Sequence, residues 1–186
     1  DALLSRGLGD VYKRQVGESY RAGIEFDGVF YINDYFTIKP NITFSSNKNN
    51  DYLTQFDGSL QNFGKTDISF SPNLIFGNSV EFKMNDKTLL FFNTKYVGKQ
   101  YMSNTNVESS VLASYLVNDF GINHSFSMPG FSDDSELKLL INNLFNQKYE
   151  SYGGHYFYDI DNKTYSGAYF YPMAEINFLI GLDFNF

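Results

Sequence analysis

Side chains sort by parity along four long stretches of this chain, and no other feature limits the fold as strongly. In segments 20–32, 35–46, 67–84 and 174–186 the even-numbered residues occupy 29 positions, of which 24 are apolar and none is charged. The pattern begins at Tyr20, Ile24, Phe26 and Phe30 and ends at Phe178, Ile180, Leu182, Phe184 and Phe186. The 27 odd positions of the same stretches hold nine charges and only five apolar residues. A helix repeats every 3.6 residues and cannot produce a period of two, whereas a strand with a different solvent on each side does.

Three further segments read as strands. Segment 87–101 starts on an apolar run, and 136–145 alternates through Leu137, Leu139 and Ile141. In 111–126 the apolar parity changes between Tyr115/Val117 and Phe120/Ile122, which predicts a β-bulge. Pro40 and Pro72 fall inside strands and cannot donate to a ladder, so each predicts a bulge or a place above the membrane. Asn33-Asp34 and Asn85-Asp86 read as two-residue turns, and Pro129-Gly130 as a third. Longer connections, 47–66, 102–110 and 148–172, alternate with them. Short turns on one rim and long loops on the other describe an all-β, antiparallel, up-and-down transmembrane β-barrel.

Strand length favours a large barrel. The four clear strands have 12 to 18 residues, or roughly 40–59 Å at about 3.3 Å per residue. Tilted by about 40°, they still exceed an apolar band of roughly 25 Å. A charged residue facing mid-bilayer costs about 2–4 kcal/mol, which accounts for the charge-free face. A soluble β-sandwich binding module is the competing reading, but its strands usually run about 5–6 residues. Phe30, Tyr31, Tyr35, Phe36, Phe126, Phe131, Phe184 and Phe186 cluster beside the short turns, as an interfacial girdle does. Seven strands leave two raw edges, so further strands of the same protein are expected.

Composition removes other classes. No run of about 18 apolar residues exists for a transmembrane helix. There are no cysteines, hence no disulfides or thiolate metal sites. A net charge of −7 and a pI near 4.7 argue against a nucleic-acid partner. The mean hydropathy of −0.32 looks soluble only because the two faces average out. No signal peptide is visible, so the natural start of an exported protein is expected to lie elsewhere. Residues 1–15, DALLSRGLGDVYKRQ, break the pattern and read as a leader foreign to the fold, with the barrel domain at 16–186.

Candidate sites follow from the loops and the polar face. The 148–172 loop carries Tyr152, His155, Tyr156, Tyr158, Tyr165 and Tyr169, rings that can stack on a planar chelate or a sugar. His155, Asp159 and Asp161 are too loosely spaced to predict a metal site. Arg21, Glu25, Lys39, Glu81, Glu175 and Asp183 are expected to face the lumen. No serine, histidine and carboxylate fall into a catalytic pattern, so no enzyme and no cofactor is expected.

The C-terminal half resembles the end of a TonB-dependent receptor barrel. Leu137–Tyr149, LKLLINNLFNQKY, is similar to the family's penultimate strand with its N-L-F-N-x-x-Y signature, here Asn143, Leu144, Phe145, Asn146 and Tyr149. Glu175–Phe186, EINFLIGLDFNF, resembles the last strand with its terminal Phe. YVGKQYMSNTN from Tyr96 and SPNLIF from Ser71 fit the same family. The resemblance implies seven C-terminal strands of a 22-stranded barrel in the outer membrane of a Gram-negative bacterium. It further implies an N-terminal plug inside the barrel, coupling to TonB, and import of a scarce nutrient such as a ferric siderophore. Phe184 and Phe186 would form the signal read by the barrel assembly machinery. A passive porin or structural barrel is the alternative within the membrane. Expressed alone without detergent, the chain should aggregate, because its lipid face and two edges are unsatisfied. A cooperative, monomeric, detergent-free fold in light scattering and denaturant titration would contradict this.

Overall fold

The computed structural model of the protein describes residues 18–185, so the 1–15 leader and Phe186 lie outside the described residues. Nine long strands are present: β1 Ser19–Asp27, β2 Phe36–Asn49, β3 Leu74–Asn85, β4 Thr88–Val97, β5 Tyr115–Met128, β6 Ser132–Asn142, β7 Glu150–Ile160, β8 Lys163–Pro172 and β9 Asn177–Asn185. Seven of them form one antiparallel sheet in the order β1-β2-β3-β4-β5-β6-β9, and two short pieces off that path, Phe30–Tyr31 and Thr66–Asp67, each pair with β2. The remaining two, β7 and β8, pair with each other as a hairpin inside the last long connection. Among the described residues no α-helix occurs.

Register puts the apolar set on one face. Even residues pair with even ones from β1 to β5, as in Ile24↔Phe44, Ile42↔Phe76, Val80↔Phe92 and Phe92↔Phe120. Between β5 and β6 the pairing becomes even to odd, Ile122↔Leu139, and it returns to even at β9, Leu139↔Ile180. Every apolar run therefore meets its neighbour on the same side, as the pleat requires. Nothing covers that side. Among the described residues the buried hydrophobic ones are only Val97, Met102 and Leu112, all at the loop end, while Ile24, Phe178 and Ile180 are 76, 75 and 69 % exposed. A wide apolar face left open is unstable in water and natural in lipid.

A polar row crosses this face at one level. Asn78 pairs with Thr94, and Thr94 with Asn118. Thr94 donates to Asn118 Oδ1 at 2.8 Å, so these two satisfy each other in the plane of the sheet. The opposite face carries ion pairs between neighbouring strands, Lys39–Glu81 at 2.5 Å and Lys138–Asp183 at 2.5 Å. Arg21 donates to Ser71 Oγ at 3.0 Å.

Four expectations need correction. The parity change in β5 is not a bulge: Tyr115↔Val97 to His124↔Thr88 run without a shift. Leu116 continues the apolar face, while Tyr115 and Val117 belong to the polar face, where Tyr115 packs on Tyr149 with ring centroids 4.4 Å apart. Pro40 also causes no shift, since Lys39↔Ser79 and Asn41↔Gly77 flank it in register. Its carbonyl accepts from Gly28 N at 3.1 Å, and the donor it lacks falls where the first strand breaks between Asp27 and Phe30. Pro72 is not in a strand. Lys48 pairs with Asp67 and Phe44 with Leu74, so six residues, 68–73, lie opposite three. Finally, the second two-residue turn is Asp86-Lys87 and not Asn85-Asp86, since Asn85 pairs with Thr88, and neither Asn33 nor Asn85 holds positive φ. Each accepts backbone N–H bonds through its side chain, Asn33 from Tyr35 and Phe36 and Asn85 from Lys87, all at 2.9 Å. The Pro129-Gly130 turn does use it, with Gly130 at φ 82°, and Phe131 N reaches Met128 O at 2.9 Å.

Two adjacent positions on β5 test the division of faces. Ile122→Arg should lower the unfolding free energy in lipid vesicles by about 2–4 kcal/mol, while Asn123→Arg should change it by less than about 1. Equal costs in a urea titration monitored by tyrosine fluorescence would remove the lipid assignment.

Candidate ligand-contacting loops

The loop end is organised by asparagines. After β6 the chain leaves the sheet through Asn143, at φ 51° and 3 % exposed. Its Nδ2 donates to Gln147 O at 2.9 Å and Ala174 O at 3.1 Å, and its Oδ1 accepts from Gln147 N at 2.8 Å. Its own N–H donates to Asp119 Oδ1 at 2.8 Å, and Leu144 N to Asn118 O at 2.7 Å. Asn146, at φ 52°, accepts from Ile176 N at 2.9 Å. The two asparagines of N-L-F-N thus tie the exit of β6 to β5 and to the entry of β9. Asparagine suits both needs, because it tolerates the left-handed region and bonds backbone on either side. Phe145 turns onto the apolar face beside Phe92, at 6.4 Å.

The connection from 148 to 172 is a regular hairpin and not an open loop. Its turn is Asp161-Asn162, both at positive φ, 50° and 60°, between the pair Ile160↔Lys163. That geometry matches the right-handed twist of the strands. A smaller hairpin, Leu53–Phe56 with Ser59–Asn62, turns in the same way at Asp57-Gly58. These Asp-Asn and Asp-Gly pairs are the signals from which both hairpins could have been read.

Pairing within the large hairpin separates its aromatic residues. Tyr152↔Tyr171, Gly154↔Tyr169, Tyr156↔Gly167 and Tyr158↔Tyr165 share one face. Gly153↔Phe170, His155↔Ala168, Phe157↔Ser166 and Asp159↔Thr164 share the other. Five of the six residues singled out from the sequence, Tyr152, Tyr156, Tyr158, Tyr165 and Tyr169, therefore lie together, joined by Tyr171. All six of these tyrosines are exposed. Their ring contacts run largely within the set: Tyr156–Tyr158 at 6.2 Å, Tyr158–Tyr165 at 5.6 Å, Tyr152–Tyr171 at 6.0 Å and Tyr169–Tyr171 at 5.6 Å.

The second face fastens the hairpin to its neighbours. Phe157 meets Phe56 edge-on at 5.9 Å. His155 Nε2 and Ser109 Oγ are 3.1 Å apart. At the tip, Asp57 N donates to Thr164 Oγ1 and Thr164 N to Asp57 Oδ1, both at 2.7 Å. The two other loops bond each other through Ser69 N to Asn104 Oδ1 at 2.7 Å and Asn106 Nδ2 to Asp67 Oδ2 at 3.0 Å. Phe70, at φ 52°, is held by its N–H on Tyr101 O at 2.8 Å and by stacking on Tyr152 at 5.5 Å. His155 is thus a packing residue. Desolvation holds its imidazolium below the ordinary histidine range, so it is neutral at neutral pH. Asp159, four residues along, is about 13 Å away at strand spacing, and it accepts from Thr164 Oγ1 at 2.6 Å.

The polar-face residues are placed as follows. Arg21, Glu25, Lys39, Glu81 and Asp183 lie in strands, on the face opposite the apolar one. Glu175 precedes β9 and belongs to the loop junction, 3.5 Å from Lys148 and 3.3 Å from Asn146 Nδ2. Phe184 packs edge-on against Phe131 at 5.5 Å. At the junction itself, Asn143→Ala should destabilise the fold by about 2–4 kcal/mol, through lost hydrogen bonds and the loss of asparagine's tolerance of positive φ. Asn143→Gly keeps the backbone and should cost about 1 kcal/mol less. Urea unfolding in micelles and protease nicking of the β7–β8 hairpin measure both, and a silent Asn143→Ala would remove the junction role.

No family model matches this sequence, and no curated protein does. Solved structures do match its fold. The siderophore receptor PiuA from Acinetobacter baumannii superposes with a TM-score of 0.69 at 17 % identity, over 90 % of this chain. BauA, the ferric preacinetobactin receptor of the same organism, gives 0.59 at 15 % identity over 90 %. The ferric enterobactin receptor PfeA from Pseudomonas aeruginosa gives 0.51 at 15 % identity over 89 %. The chain spans 22 % of the length of each of these receptors. It therefore has the fold of a sector of a siderophore-receptor β-barrel: wall strands, short turns at one rim and long loops at the other.

Proposed function

We propose that this chain is a wall-and-loop sector of an outer-membrane receptor that imports a scarce metal chelate, of the ferric siderophore kind, by TonB-coupled transport in a Gram-negative bacterium. One observation carries the reading: a single sheet whose apolar face is free of charge through the middle of its strands, with Lys48 entering at the loop end beside Asp67, an ion-paired face on the other side, and an exposed aromatic hairpin at its loop rim. The apolar face meets lipid. The ion-paired face, with Arg21, Glu25, Lys39, Glu81 and Asp183, meets a hydrated lumen and a plug supplied by the same protein. Tyr152, Tyr156, Tyr158, Tyr165 and Tyr169 contact the substrate, with His155 supporting them from behind. Phe184 and Phe186 serve recognition by the barrel assembly machinery. The role is carriage, and no side chain is assigned to bond chemistry. The receptor barrels that share the fold support this reading.

Uptake separates it from a passive pore with the same wall. Cells that make the receptor from its intact gene, and no other iron receptor, should lose radiolabelled ferric chelate accumulation when TonB is deleted. Uptake that is indifferent to TonB and linear in chelate concentration would mean a pore.

A further inference from the structure

A hollow of about 310 Å³ opens on the polar face of the wall, under the base of the β7–β8 hairpin. Val117 forms its floor, with Tyr115 and Asp119 on either side of it along β5 and Lys95 opposite it on β4. Asn142, at the end of β6, and Tyr149, at the foot of the hairpin, complete the ring. Met173 and Ala174 add an apolar side. The hollow thus belongs to the strands and the junction, and the exposed tyrosines of the hairpin take no part in it. Its volume lies at the small end of the range for ligand sites, about 300–1,000 Å³, and suits a molecule the size of one amino acid.

Two opposite charges line it. Lys95 pairs with Val117 and Asp119 with Asn93, so Lys95 and Asp119 stand diagonally across two strands, about 7–8 Å apart at Cα. They are not ion-paired with each other. Asp119 is fixed in place, since its Oδ1 accepts from Asn143 N at 2.8 Å, which leaves Oδ2 for a ligand. Asn142 Nδ2 donates to Asn177 Oδ1 at 2.9 Å, so Asn142 Oδ1 is a second acceptor in the hollow. Tyr149 stacks on Tyr115 at 4.4 Å, and burial, followed by the Asp119 charge, holds its phenol above the ordinary tyrosine range. That hydroxyl is therefore a donor at neutral pH. An anion alone would meet Lys95 and be opposed by Asp119, and a cation alone would meet the reverse. An uncharged ligand would desolvate both charges and match neither. A ligand with a carboxylate and an ammonium one carbon apart satisfies both walls at once, and an aliphatic side chain on it would lie against Val117, Met173 and Ala174.

We propose that this hollow is a binding site for a small zwitterion, the head group of an α-amino acid with an aliphatic side chain. Lys95 holds its carboxylate, and Asp119 and Asn142 hold its ammonium. The group belongs either to a free amino acid or to the end of a larger cargo. The site is separate from the tyrosine face and goes beyond the uptake reading.

The test is isothermal titration calorimetry on receptor made from its intact gene and purified in detergent. The probes are L-leucine, L-leucine amide and N-acetyl-L-leucine. L-leucine should bind at least about tenfold more tightly than either derivative, because each derivative lacks one of the two charges. Lys95→Met should remove about tenfold of the L-leucine affinity and strengthen binding of the amide, whose cation no longer meets an ammonium. Asp119→Asn keeps an acceptor for Asn143 N and should strengthen binding of N-acetyl-L-leucine in the same way. These gains, each for a different probe, cannot come from misfolding. L-leucine that does not bind, or binds no better than both derivatives, overturns the inference and leaves the uptake reading standing, as does Lys95→Met weakening all three probes alike. Displacement of bound L-leucine by a ferric chelate that ends in a free amino-acid group assigns the site to cargo, and L-leucine that stays bound assigns it to a free amino acid; either result upholds the site.

Discussion

A backbone amide in hydrocarbon has no water to bond, so a strand that crosses a membrane must be paired along its length. The arrangement of irregular backbone in this chain follows that constraint. The ladders of β3, β4 and β5 run unbroken through their middle. Departures sit at the two ends. Register shifts fall beside the turns, between Lys83 and Asn85 and between Phe126 and Met128. The gap opposite Pro40 also lies towards the turn side. The six-against-three insertion at 68–73 and the positive-φ residues Phe70, Asn106, Asn143 and Asn146 belong to the loop end. Polar side chains on the apolar face follow this in part: Thr94 and Asn118 bond each other, while Asn78 in the same row keeps an unpartnered Oδ1.

What was legible in the sequence is what this constraint imposes on every residue. Alternation on β1, β2, β3 and β9 could be read because lipid excludes charge from one whole face. The polar face is under no matching ban on apolar groups. Tyr115 and Val117 exploit that freedom, Tyr115 by packing on Tyr149, a contact 34 residues away that periodicity cannot announce. A bulge was the wrong inference there because it assumed that apolar always means lipid. The hairpin in the last connection was missed for a related reason. Both of its faces carry aromatic residues, and Phe157 and Phe170 on the second are themselves 38 and 43 % exposed, so no polar alternation marks it, and only Asp161-Asn162 does.

In the N-L-F-N stretch, residue identity and physical role are two separate properties. The resemblance rests on residue identities. The role rests on Asn143 and Asn146 holding positive φ while their side chains bond backbone from β9 and from the loop. Phe145 lies between them on the apolar face, so one tetrapeptide faces two solvents at the level where the strand ends.

Fixing that junction also decides what the tyrosines can do. An aromatic hairpin free at its base would turn either face inward and bury its larger rings. Here the His155/Phe157 face is bound to the loops at Ser109 and Phe56, and the tip is bound at Asp57. The strands below are held by Asn143. With one face committed, the other cannot collapse onto it, because opposite sides of a two-stranded ribbon never meet. Six exposed tyrosines are therefore a consequence of how the second face is fastened, and their orientation needs no ligand to set it.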